Sequence, residues 1–298
     1  MNIKNVTVAG SGVLGYQIAF QTAFKGFKVT VYDINDQAID QAKAKFDSLS
    51  QRYKNDLAAT SEQLAQTKQN LYYSSDLKKA TEQADLVIEA VPENPKIKIG
   101  FYKELAEVAP AHTIFATNSS TLLPSQFSDV TKRPKQFLAL HFANEIWTHN
   151  TAEIMGHPQT DPAVFKEIVD FAKAIGMIAL PLHKEQPGYI LNSILVPLLD
   201  AATNLLVNDI ADAHTIDKTW MAATGAPAGP FGILDIVGIS TVYNINKMAA
   251  DSTHDPLKIK TVDYLKREFI DKNKLGVGTG EGFYTYPNPA YKEEDFLK

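Results

Sequence analysis

Three histidines and two glutamates fall within the stretch HFANEIWTHNTAEIMGH, which runs from residue 141 to residue 157. Their types permit acid/base catalysis by a histidine paired with a carboxylate, or coordination of a metal ion. His141 follows the apolar run FLAL, and Glu153 comes twelve residues later in TAEIM. An imidazole exchanges a proton near neutral pH, and a carboxylate can orient its ring and stabilise the charged form. His141 and Glu153 are therefore candidates for a catalytic base and its partner, if a strand pair brings them together.

The metal alternative would use His141, His149, Glu153 and His157. Its histidines recur at eight-residue intervals, unlike the compact ligand pairs that bind zinc or iron. The sequence also contains no cysteine, which excludes a thiolate site. We therefore predict that no metal is bound, and we assign His149 and His157 to surface or packing roles.

A glycine pattern near the N-terminus predicts a phosphate-binding loop. Gly10, Gly12 and Gly15 form G-x-G-x-x-G directly after one apolar run and before a helical stretch. Gly10 permits the tight turn, Gly12 lets the backbone approach a pyrophosphate, and Gly15 lets the helix pack closely on the sheet. The predicted cofactor loop comprises Gly10, Ser11, Gly12, Val13, Leu14 and Gly15.

The residue after the next apolar run selects the cofactor. Asp33 follows the run KVTVY and can accept hydrogen bonds from an adenosine ribose. Its charge would repel the 2'-phosphate of NADP, and DINDQ offers no arginine to bind that phosphate. NAD is therefore the predicted cofactor. A dehydrogenase needs a base for the hydroxyl proton, which favours the catalytic interpretation of His141.

Short apolar runs alternate with amphipathic helical stretches as far as about Pro181, and an almost purely helical pattern follows. This order predicts an α/β domain over residues 1–185, with a parallel sheet covered on both faces, and an all-helical domain over residues 186–298. The predicted strands are Asn5–Ala9, Lys28–Tyr32, Leu71–Tyr73, Leu86–Ala90, Thr113–Ala116, Phe137–Leu140, Ala152–Met155 and Met177–Leu180. The predicted helices of the second domain are Tyr189–Asn208, Thr215–Ala223, Ile239–Asp251 and Pro256–Asn273, interrupted at GAPAGPFG.

Composition narrows the class of protein. The formal net charge of -5, without a basic stripe, argues against nucleic-acid binding and favours a small-molecule partner. The apolar segment Tyr189–Val207 contains Asn192, Pro197 and Asp200, so we predict a buried helix and no membrane partner. With no cysteine and no signal-peptide pattern in MNIKNVTVAG, we expect a cytoplasmic protein.

Several motifs in a fixed order extend the evidence over nearly the whole chain: GSGVLG, EAVPENPKIKIGFYKEL, TNSSTL, HFAN, PGYILN, GAPAGPFGILDIVG and TGEGFY. With these motifs the sequence resembles the 3-hydroxyacyl-CoA dehydrogenases of fatty-acid metabolism. The resemblance implies a Rossmann-like NAD-binding domain followed by a helical domain through which two copies form a homodimer. It also implies that His141 is the catalytic base and that Glu153 is its partner.

The resemblance assigns further site residues. Ser120 and Asn192 would hold the reacting oxygen or carbonyl of the substrate, although both residue types also cap helices and loops. Glu93, Lys98 and Asn144 would line the cofactor site, although a solvated helix face explains Glu93 and Lys98 equally well. A cationic cluster, in which Lys43 and Lys54 share a helix face, would meet CoA phosphates or simply face solvent. The cluster comprises Lys43, Lys45, Arg52 and Lys54.

The sequence departs from the family pattern after His141. The family has H-F-F-N-P, whereas Ala143 and Glu145 occupy the third and fifth positions here. Trp147 and His149 replace small and apolar residues, so this segment bears on the acyl-chain pocket. Gly278 stands where the family has a lysine, which predicts one cofactor contact fewer.

The sequence therefore predicts an NAD-dependent oxidoreductase that interconverts 3-hydroxyacyl-CoA and 3-oxoacyl-CoA by hydride transfer. One alternative is a dehydrogenase of a free 3-hydroxy acid, such as a sugar acid or a carnitine-like compound. A second alternative is an NAD-binding module without turnover.

Overall fold

Eight strands form one sheet in the computed structural model, which describes residues 2–298. The strand order is β3-β2-β1-β4-β5-β6-β7-β8, and every neighbouring pair is parallel except β6 and β7. The strands are β1 (Asn5–Ala9), β2 (Lys28–Tyr32), β3 (Leu71–Ser74), β4 (Leu86–Glu89), β5 (Ile114–Thr117), β6 (Phe137–Phe142), β7 (Thr151–Met155) and β8 (Ile178–Leu182). All eight predicted strands are confirmed: β1 and β2 match the predicted ranges, and the ends of the other six differ by at most two residues.

Six helices cover this sheet: α1 (Gly15–Phe24), α2 (Asp36–Leu57), α3 (Ser61–Gln69), α4 (Leu77–Thr81), α5 (Pro95–Val108) and α6 (Pro162–Ala174). Side chains cap the first turns of α2 to α6; Asn35, for example, accepts the Ala38 N–H. No described side chain caps α1, which begins in the glycine pattern. The first-turn N–H groups of α1 therefore stay available to a ligand.

The strands are buried because both sheet faces are covered. Strands β4, β5 and β6 are buried at every residue, as expected for the centre of a parallel sheet. Two large apolar clusters form most of the core of this unit, one that includes Ile18 and Phe171 and another that includes Tyr102 and Phe115, and a small third cluster includes Tyr189. The predicted α/β fold is confirmed.

Five helices make up the C-terminal part of the chain: α7 (Tyr189–Val207), α8 (Ala213–Thr224), α9 (Pro230–Val237), α10 (Ile239–Thr253) and α11 (Pro256–Glu268). Helix α9 was not predicted, because glycine and proline were taken to interrupt the helical pattern. Pro230 instead occupies the first turn, where its missing N–H and fixed φ favour helix initiation.

Short 3-10 turns occur in both parts of the chain, at Pro124–Gln126, Asp129–Thr131, Pro134–Gln136, Ile270–Lys272, Val277–Thr279 and Ala290–Lys292.

The chain divides into two compact units, the first ending at Ile190 and the second spanning Leu191–Lys298. The second unit has its own apolar core, in which Phe231, Leu234, Ile239 and Leu265 are buried. Because Tyr189 and Ile190 bond to residues of the first unit, the division falls just inside α7.

The prediction that α7 is a buried helix is wrong for much of its length. Ala202 and Leu206 enter the core of the second unit, whereas Ile194 and Leu205 are exposed. Apolar residues surround this helix, but the core covers only part of its surface. In length and composition α7 could also cross a membrane, and 22% of its most apolar window is buried in the protein. Its Asn192, Pro197 and Asp200 would be costly in a bilayer.

Candidate active site

The antiparallel pairing of β6 and β7 brings His141 and Glu153 together. The two residues are directly opposite each other in the register. The distance from His141 Nδ1 to Glu153 Oε2 is 3.1 Å, and both side chains are buried. The other carboxylate oxygen, Oε1, accepts the Ile190 N–H at 2.8 Å. Both oxygens of Glu153 therefore have partners that hold the carboxylate against the imidazole.

Ser120 lies on the other side of the same ring. It follows β5, and its Oγ is 3.1 Å from His141 Nε2. Because the carboxylate of Glu153 accepts a hydrogen from Nδ1, Nε2 is the nitrogen that can accept a proton. The three side chains form a continuous chain, Ser120–His141–Glu153, suited to moving a proton at Nε2.

Tyr189 was not predicted from the sequence as a site residue. Its ring stacks on the imidazole of His141, with centroids 4.4 Å apart and planes 16° from parallel. Its hydroxyl donates to the Ser119 carbonyl at 2.8 Å, which also fixes the segment that carries Ser120. Burial raises the pKa of the Tyr189 hydroxyl, so it stays a hydrogen-bond donor at neutral pH. No spacing rule could have found this contact, because it joins residues 48 positions apart.

Glu93 holds the segment on which Ser120 lies. One carboxylate oxygen, Oε1, accepts hydrogen bonds from the Ser119 hydroxyl, the Ser120 N–H, and both the N–H and the hydroxyl of Thr121. Partial burial raises the pKa of Glu93, but these hydrogen bonds and the nearby charge of Lys98 outweigh it and lower the pKa overall. The charged Glu93 side chain therefore holds this segment in place through hydrogen bonds, and it also lines the cofactor cavity.

Lys98 is buried, which differs from the solvated helix face that was the alternative for it. Its Nζ lies 2.6 Å from Glu89 Oε1 and 3.3 Å from Glu93 Oε2. The hydroxyls of Tyr102 and Thr117 donate to the other oxygen of Glu89. Glu89 is thus a fully buried acid that the sequence interpretation missed, and its compensation by Lys98 makes its burial tolerable.

A cavity of about 740 Å³ opens beside these residues at the carboxyl ends of the central strands. Its lining includes Gly10, Ser11, Gly12, Val13, Leu14, Asp33, Glu93, Lys98, Asn118 and Ser120. The predicted cofactor loop, the ribose-binding acid and the first member of the Ser120–His141–Glu153 chain therefore share one cavity. Ligands of open α/β sheets bind at this edge, near the point where the strand order reverses.

The three glycines meet the demands of a dinucleotide loop. Gly10 has φ +98°, and a Cβ there would lie 2.5 Å from the Ala90 carbonyl oxygen. A Cβ on Gly15 would overlap the Gly10 carbonyl oxygen at 1.7 Å, whereas one on Gly12 would meet no atom within 4 Å. Gly10 and Gly15 are therefore required by packing, and Gly12 leaves space for a ligand to reach the backbone.

Asp33 is already bonded to the cofactor loop. Its Oδ2 accepts from the N–H and the hydroxyl of Ser11, at 2.8 and 2.5 Å. Lys45 adds a bond from its Nζ to the Ser11 carbonyl at 3.0 Å. The acid is thereby held at the cavity wall, where a carboxylate suits a ribose and disfavours a 2'-phosphate.

Two residues that follow His141 and depart from the family pattern, Glu145 and Trp147, pack on α2. Trp147 is buried among Tyr53 and other core residues, and its Nε1 donates to Asp56 at 2.8 Å. The Glu145 carboxylate accepts from Arg52 at 2.9 Å, and the Arg52 guanidinium also lies over the Trp147 ring. These departures from the family pattern therefore strengthen the attachment of the segment to α2.

The cationic cluster of α2 is largely engaged by oxygens of the chain itself. Lys43 pairs with Asp40 at 2.8 Å, Lys45 with the Ser11 carbonyl, and Arg52 with Glu145. Lys43 and Lys54 are exposed, so their role toward CoA phosphates stays a prediction. Asn192 lies in the first turns of α7, within the second unit, and its role toward the substrate also stays a prediction.

The remaining histidines of the opening stretch have other surroundings. His149 is exposed, and His157 is buried with its Nε2 3.0 Å from the Pro134 carbonyl oxygen. Across residues 2–298 no three His, Asp or Glu side chains converge to hold a metal ion.

Comparison with known proteins agrees with this architecture. Residues 5–186 match the model of the 3-hydroxyacyl-CoA dehydrogenase NAD-binding domain, and residues 188–286 match the model of the C-terminal domain of the same enzymes. Human mitochondrial hydroxyacyl-coenzyme A dehydrogenase is 33% identical over 294 residues, which cover 95% of this chain and 91% of the human protein. The glycine loop and Asp33 fit the cofactor of the first domain, and NAD is the cofactor of this protein.

Two solved structures are similar to this chain over nearly its whole length. A diketoreductase, described as acting on dicarbonyl compounds, is 55% identical with a TM-score of 0.91, over 96% of this chain and 100% of that one. The (S)-3-hydroxybutyryl-CoA dehydrogenase of Ralstonia eutropha is 26% identical with a TM-score of 0.82, over 96% and 100% of the two chains.

Proposed function

This chain belongs to the 3-hydroxyacyl-CoA dehydrogenase family, and we propose that it interconverts a 3-hydroxy carbonyl compound and its 1,3-dicarbonyl form with NAD(H). The observation that carries the proposal is the Ser120–His141–Glu153 chain, whose first residue lines the cavity of the glycine loop. A proton acceptor and a dinucleotide cavity side by side suit a reaction that removes a hydroxyl proton and a hydride from one carbinol group.

His141 is the proton carrier in this proposal. When bound, NAD supplies the hydride acceptor for oxidation and, once reduced, the hydride donor for the reverse reaction. During oxidation His141 Nε2 takes the hydroxyl proton of the substrate, and during reduction it returns that proton to the new alkoxide oxygen. Glu153 stabilises the charged imidazolium, and Ser120 donates its hydroxyl to the reacting oxygen. The stacked ring of Tyr189 keeps the imidazole in one orientation.

For the substrate, we propose a 1,3-dicarbonyl compound that does not need CoA. The diketoreductase shares 55% identity with this chain, against 33% for human mitochondrial hydroxyacyl-coenzyme A dehydrogenase. In addition, Lys43 and Arg52 are paired with the carboxylates of Asp40 and Glu145, which reduces the positive charge available to CoA phosphates. The competing candidate is a 3-hydroxyacyl-CoA, favoured by the family and by the exposed Lys54.

An NADH-oxidation assay separates these substrates. We would compare kcat/KM for ethyl acetoacetate, a 1,3-diketone, free acetoacetate and acetoacetyl-CoA. Turnover of the ester or the diketone at a rate comparable to that of the thioester supports the proposal. Turnover of acetoacetyl-CoA alone contradicts it in favour of a CoA-dependent enzyme, and turnover of the free acid alone indicates a 3-hydroxy acid dehydrogenase. Tight NADH binding without turnover of any 3-oxo compound indicates a non-catalytic NAD-binding module.

Lys54→Ala sharpens the comparison, with Lys43→Ala as a matched change on the same helix face. If Lys54 binds a CoA phosphate, its loss raises KM for acetoacetyl-CoA about tenfold and leaves KM for the ester unchanged, since one charge-assisted hydrogen bond contributes about 1.5–3 kcal/mol. If both variants keep the kinetics of the unmodified protein on both substrates, the result favours the CoA-independent reaction.

We further propose a homodimer formed through the second unit. Ile236, Val237, Ile245 and Met248 are large apolar side chains that the second unit leaves exposed. Exposed apolar groups of this kind mark association surfaces. Light scattering after size-exclusion chromatography at micromolar concentration should give twice the chain mass of 32.8 kDa. The mass of a single chain would contradict this assignment.

A further inference from the structure

Gln17, on α1, joins the cofactor loop to the segment that follows His141. Its side chain is 3% exposed, and every polar atom of its amide has a partner. The Nε2 group donates to the Val13 carbonyl and to Asn144 Oδ1, each at 2.7 Å, and Oε1 accepts the Glu145 N–H at 2.9 Å. One buried amide thus bonds to the phosphate loop and to two consecutive residues near the catalytic histidine.

The backbone partners fix which way the Gln17 amide points. A backbone N–H only donates and a carbonyl only accepts, so Glu145 requires an oxygen at one end and Val13 requires an NH2 group at the other. The same NH2 group then makes the neighbouring atom of Asn144 an oxygen. Asn144 is exposed, and its own NH2 group has no acceptor in the described part of the chain. Its two donors are available to a ligand.

The location of Asn144 indicates which ligand its NH2 group binds. Its Oδ1 shares a donor with the Val13 carbonyl, and Val13 lines the cavity of the glycine loop. Asn144 also follows His141 by three residues, and its neighbour Phe142 donates its N–H to Asn118, another residue of the cavity wall. Asn144 therefore lies between the dinucleotide loop and the proton-transfer group.

We propose that Gln17 is a positioning residue that orients the Asn144 amide so that its NH2 group donates to an oxygen of the nicotinamide half of NAD. The attachment of Glu145 supports this role. Glu145 has a left-handed backbone with φ +59°, and Gln17 holds its N–H while Arg52 holds its carboxylate. The turn that presents Asn144 is therefore held from both sides. The proposal deepens the proposed function and rests on it for the place of the nicotinamide.

Gln21 provides a matched control on the same helix. It lies one turn after Gln17, is also 3% exposed, and likewise makes buried hydrogen bonds, from Nε2 to the Ile175 carbonyl and from the Tyr53 hydroxyl to Oε1. None of these partners lines the cofactor cavity. Gln17→Met and Gln21→Met therefore remove equivalent buried amides, but the first change alone frees the Asn144 side chain to rotate.

The readout is dinucleotide affinity, measured by fluorescence titration without any carbonyl substrate. We expect Gln17→Met to raise the Kd for NADH about tenfold, the scale of one hydrogen bond, and to leave the Kd for ADP within about twofold. Gln21→Met should change neither constant, although both variants lower the melting temperature. Equal effects of the two variants on NADH, or an equal loss of ADP and NADH affinity in Gln17→Met, would overturn the proposal.

Asn144→Asp gives a second test that does not depend on a buried substitution. This change keeps an oxygen for Gln17 but replaces the outward NH2 group by an acceptor. We expect the Kd for NADH to rise about tenfold or more, with a smaller change for ADP. Undiminished NADH affinity in Asn144→Asp would refute the donor role. Because neither test uses turnover, failure of the proposed substrate class would leave both results interpretable.

Discussion

Buried carboxylates occur in both units, and they differ in what faces them. In the first unit Glu153 accepts the Ile190 N–H with one oxygen and faces the imidazole of His141 with the other. In the second unit Asp235 accepts the Phe283 and Tyr284 N–H groups and the Tyr286 hydroxyl. Asp217, its neighbour, is bonded in the same manner to Phe231, Gly232 and Tyr284.

The packing around these acids separates a reactive group from a structural one. A Cβ on Gly282 would lie 2.0 Å from Asp235 Oδ1, and one on Gly229 would lie 2.2 Å from the Asp217 carboxyl carbon. Because these two positions are glycines, the backbone packs directly against both aspartates and leaves no room for a ligand. Around His141 the chain of hydrogen bonds instead continues to Ser120, at the wall of the cofactor cavity. Burial and backbone hydrogen bonds alone therefore do not identify a catalytic acid.

The largest effect should follow from removal of the imidazole. His141→Gln keeps a side chain that can bond to Glu153 and Ser120 but cannot carry a proton. Turnover should fall by about two orders of magnitude or more, the scale of acid/base catalysis, with unchanged NADH affinity. Steady-state kinetics together with an NADH titration test this expectation. Turnover near that of the unmodified protein would remove the basis for treating the first unit as the reactive one.

Glu153→Gln should also reduce turnover, by up to about 10⁴-fold, because an amide stabilises the imidazolium weakly and its NH2 group imposes the wrong tautomer on His141. In the same assay Asp235→Asn should retain turnover in the fraction of molecules that is folded. The contrast fails if Asp235→Asn lowers kcat as much as Glu153→Gln does.

For the free energy of unfolding we expect the opposite order, with a larger loss in Asp235→Asn than in Glu153→Gln. Asp235→Asn replaces one acceptor by an NH2 group that faces a backbone N–H, which should lower the free energy of unfolding by about 2–3 kcal/mol. Glu153→Gln can retain its acceptor toward Ile190 and should cost about 1 kcal/mol. Urea denaturation followed by circular dichroism measures both values, and a larger loss for Glu153→Gln would contradict the structural role of Asp235.

The smallest expected effect is a pH dependence. Burial raises the pKa of Asp235, and the hydrogen bonds from Phe283 and Tyr284 only partly offset this rise. The folded state then binds the proton more tightly than the unfolded state. The contribution of Asp235 to stability should fall as the pH rises from its ordinary pKa, about 4, through the raised value.

Denaturation of the unmodified protein and of Asp235→Asn at several pH values isolates this contribution. The difference in free energy of unfolding between the two should grow as the pH is lowered from 7 towards 4. A difference that shrinks over this range would show that hydrogen bonds to the carboxylate outweigh its burial.

Local patterns were enough to predict most of the architecture. The eight strands were recognisable as apolar runs, because a strand covered on both faces requires apolar side chains nearly throughout. The glycine loop and Asp33 were recognisable for a similar reason, since their spacing is set within one strand-turn-helix unit. Helix α9 was missed because glycine and proline disfavour the interior of a helix but are tolerated where a helix begins, as at Gly229 and Pro230.

Contacts between segments that are distant in the chain could not be predicted from local sequence patterns. Trp147 is an example. Its position after His141 suggested a residue of the acyl-chain pocket, whereas in the structure it is buried against Tyr53. Gln17, Glu89 and Tyr189 gave no signal either, since each depends on partners brought close by the sheet or by the start of α7.

The sequence by itself determined the order of the eight strands along the chain, the dinucleotide loop and the identity of NAD, because these depend on residues close together in the chain. The tertiary structure decided that β6 and β7 run antiparallel in the register that sets His141 against Glu153. It also decided which buried acid is linked by hydrogen bonds to a cavity residue and which is enclosed by backbone at a glycine. Register and closure depend on packing across the whole fold, which no short stretch of sequence specifies.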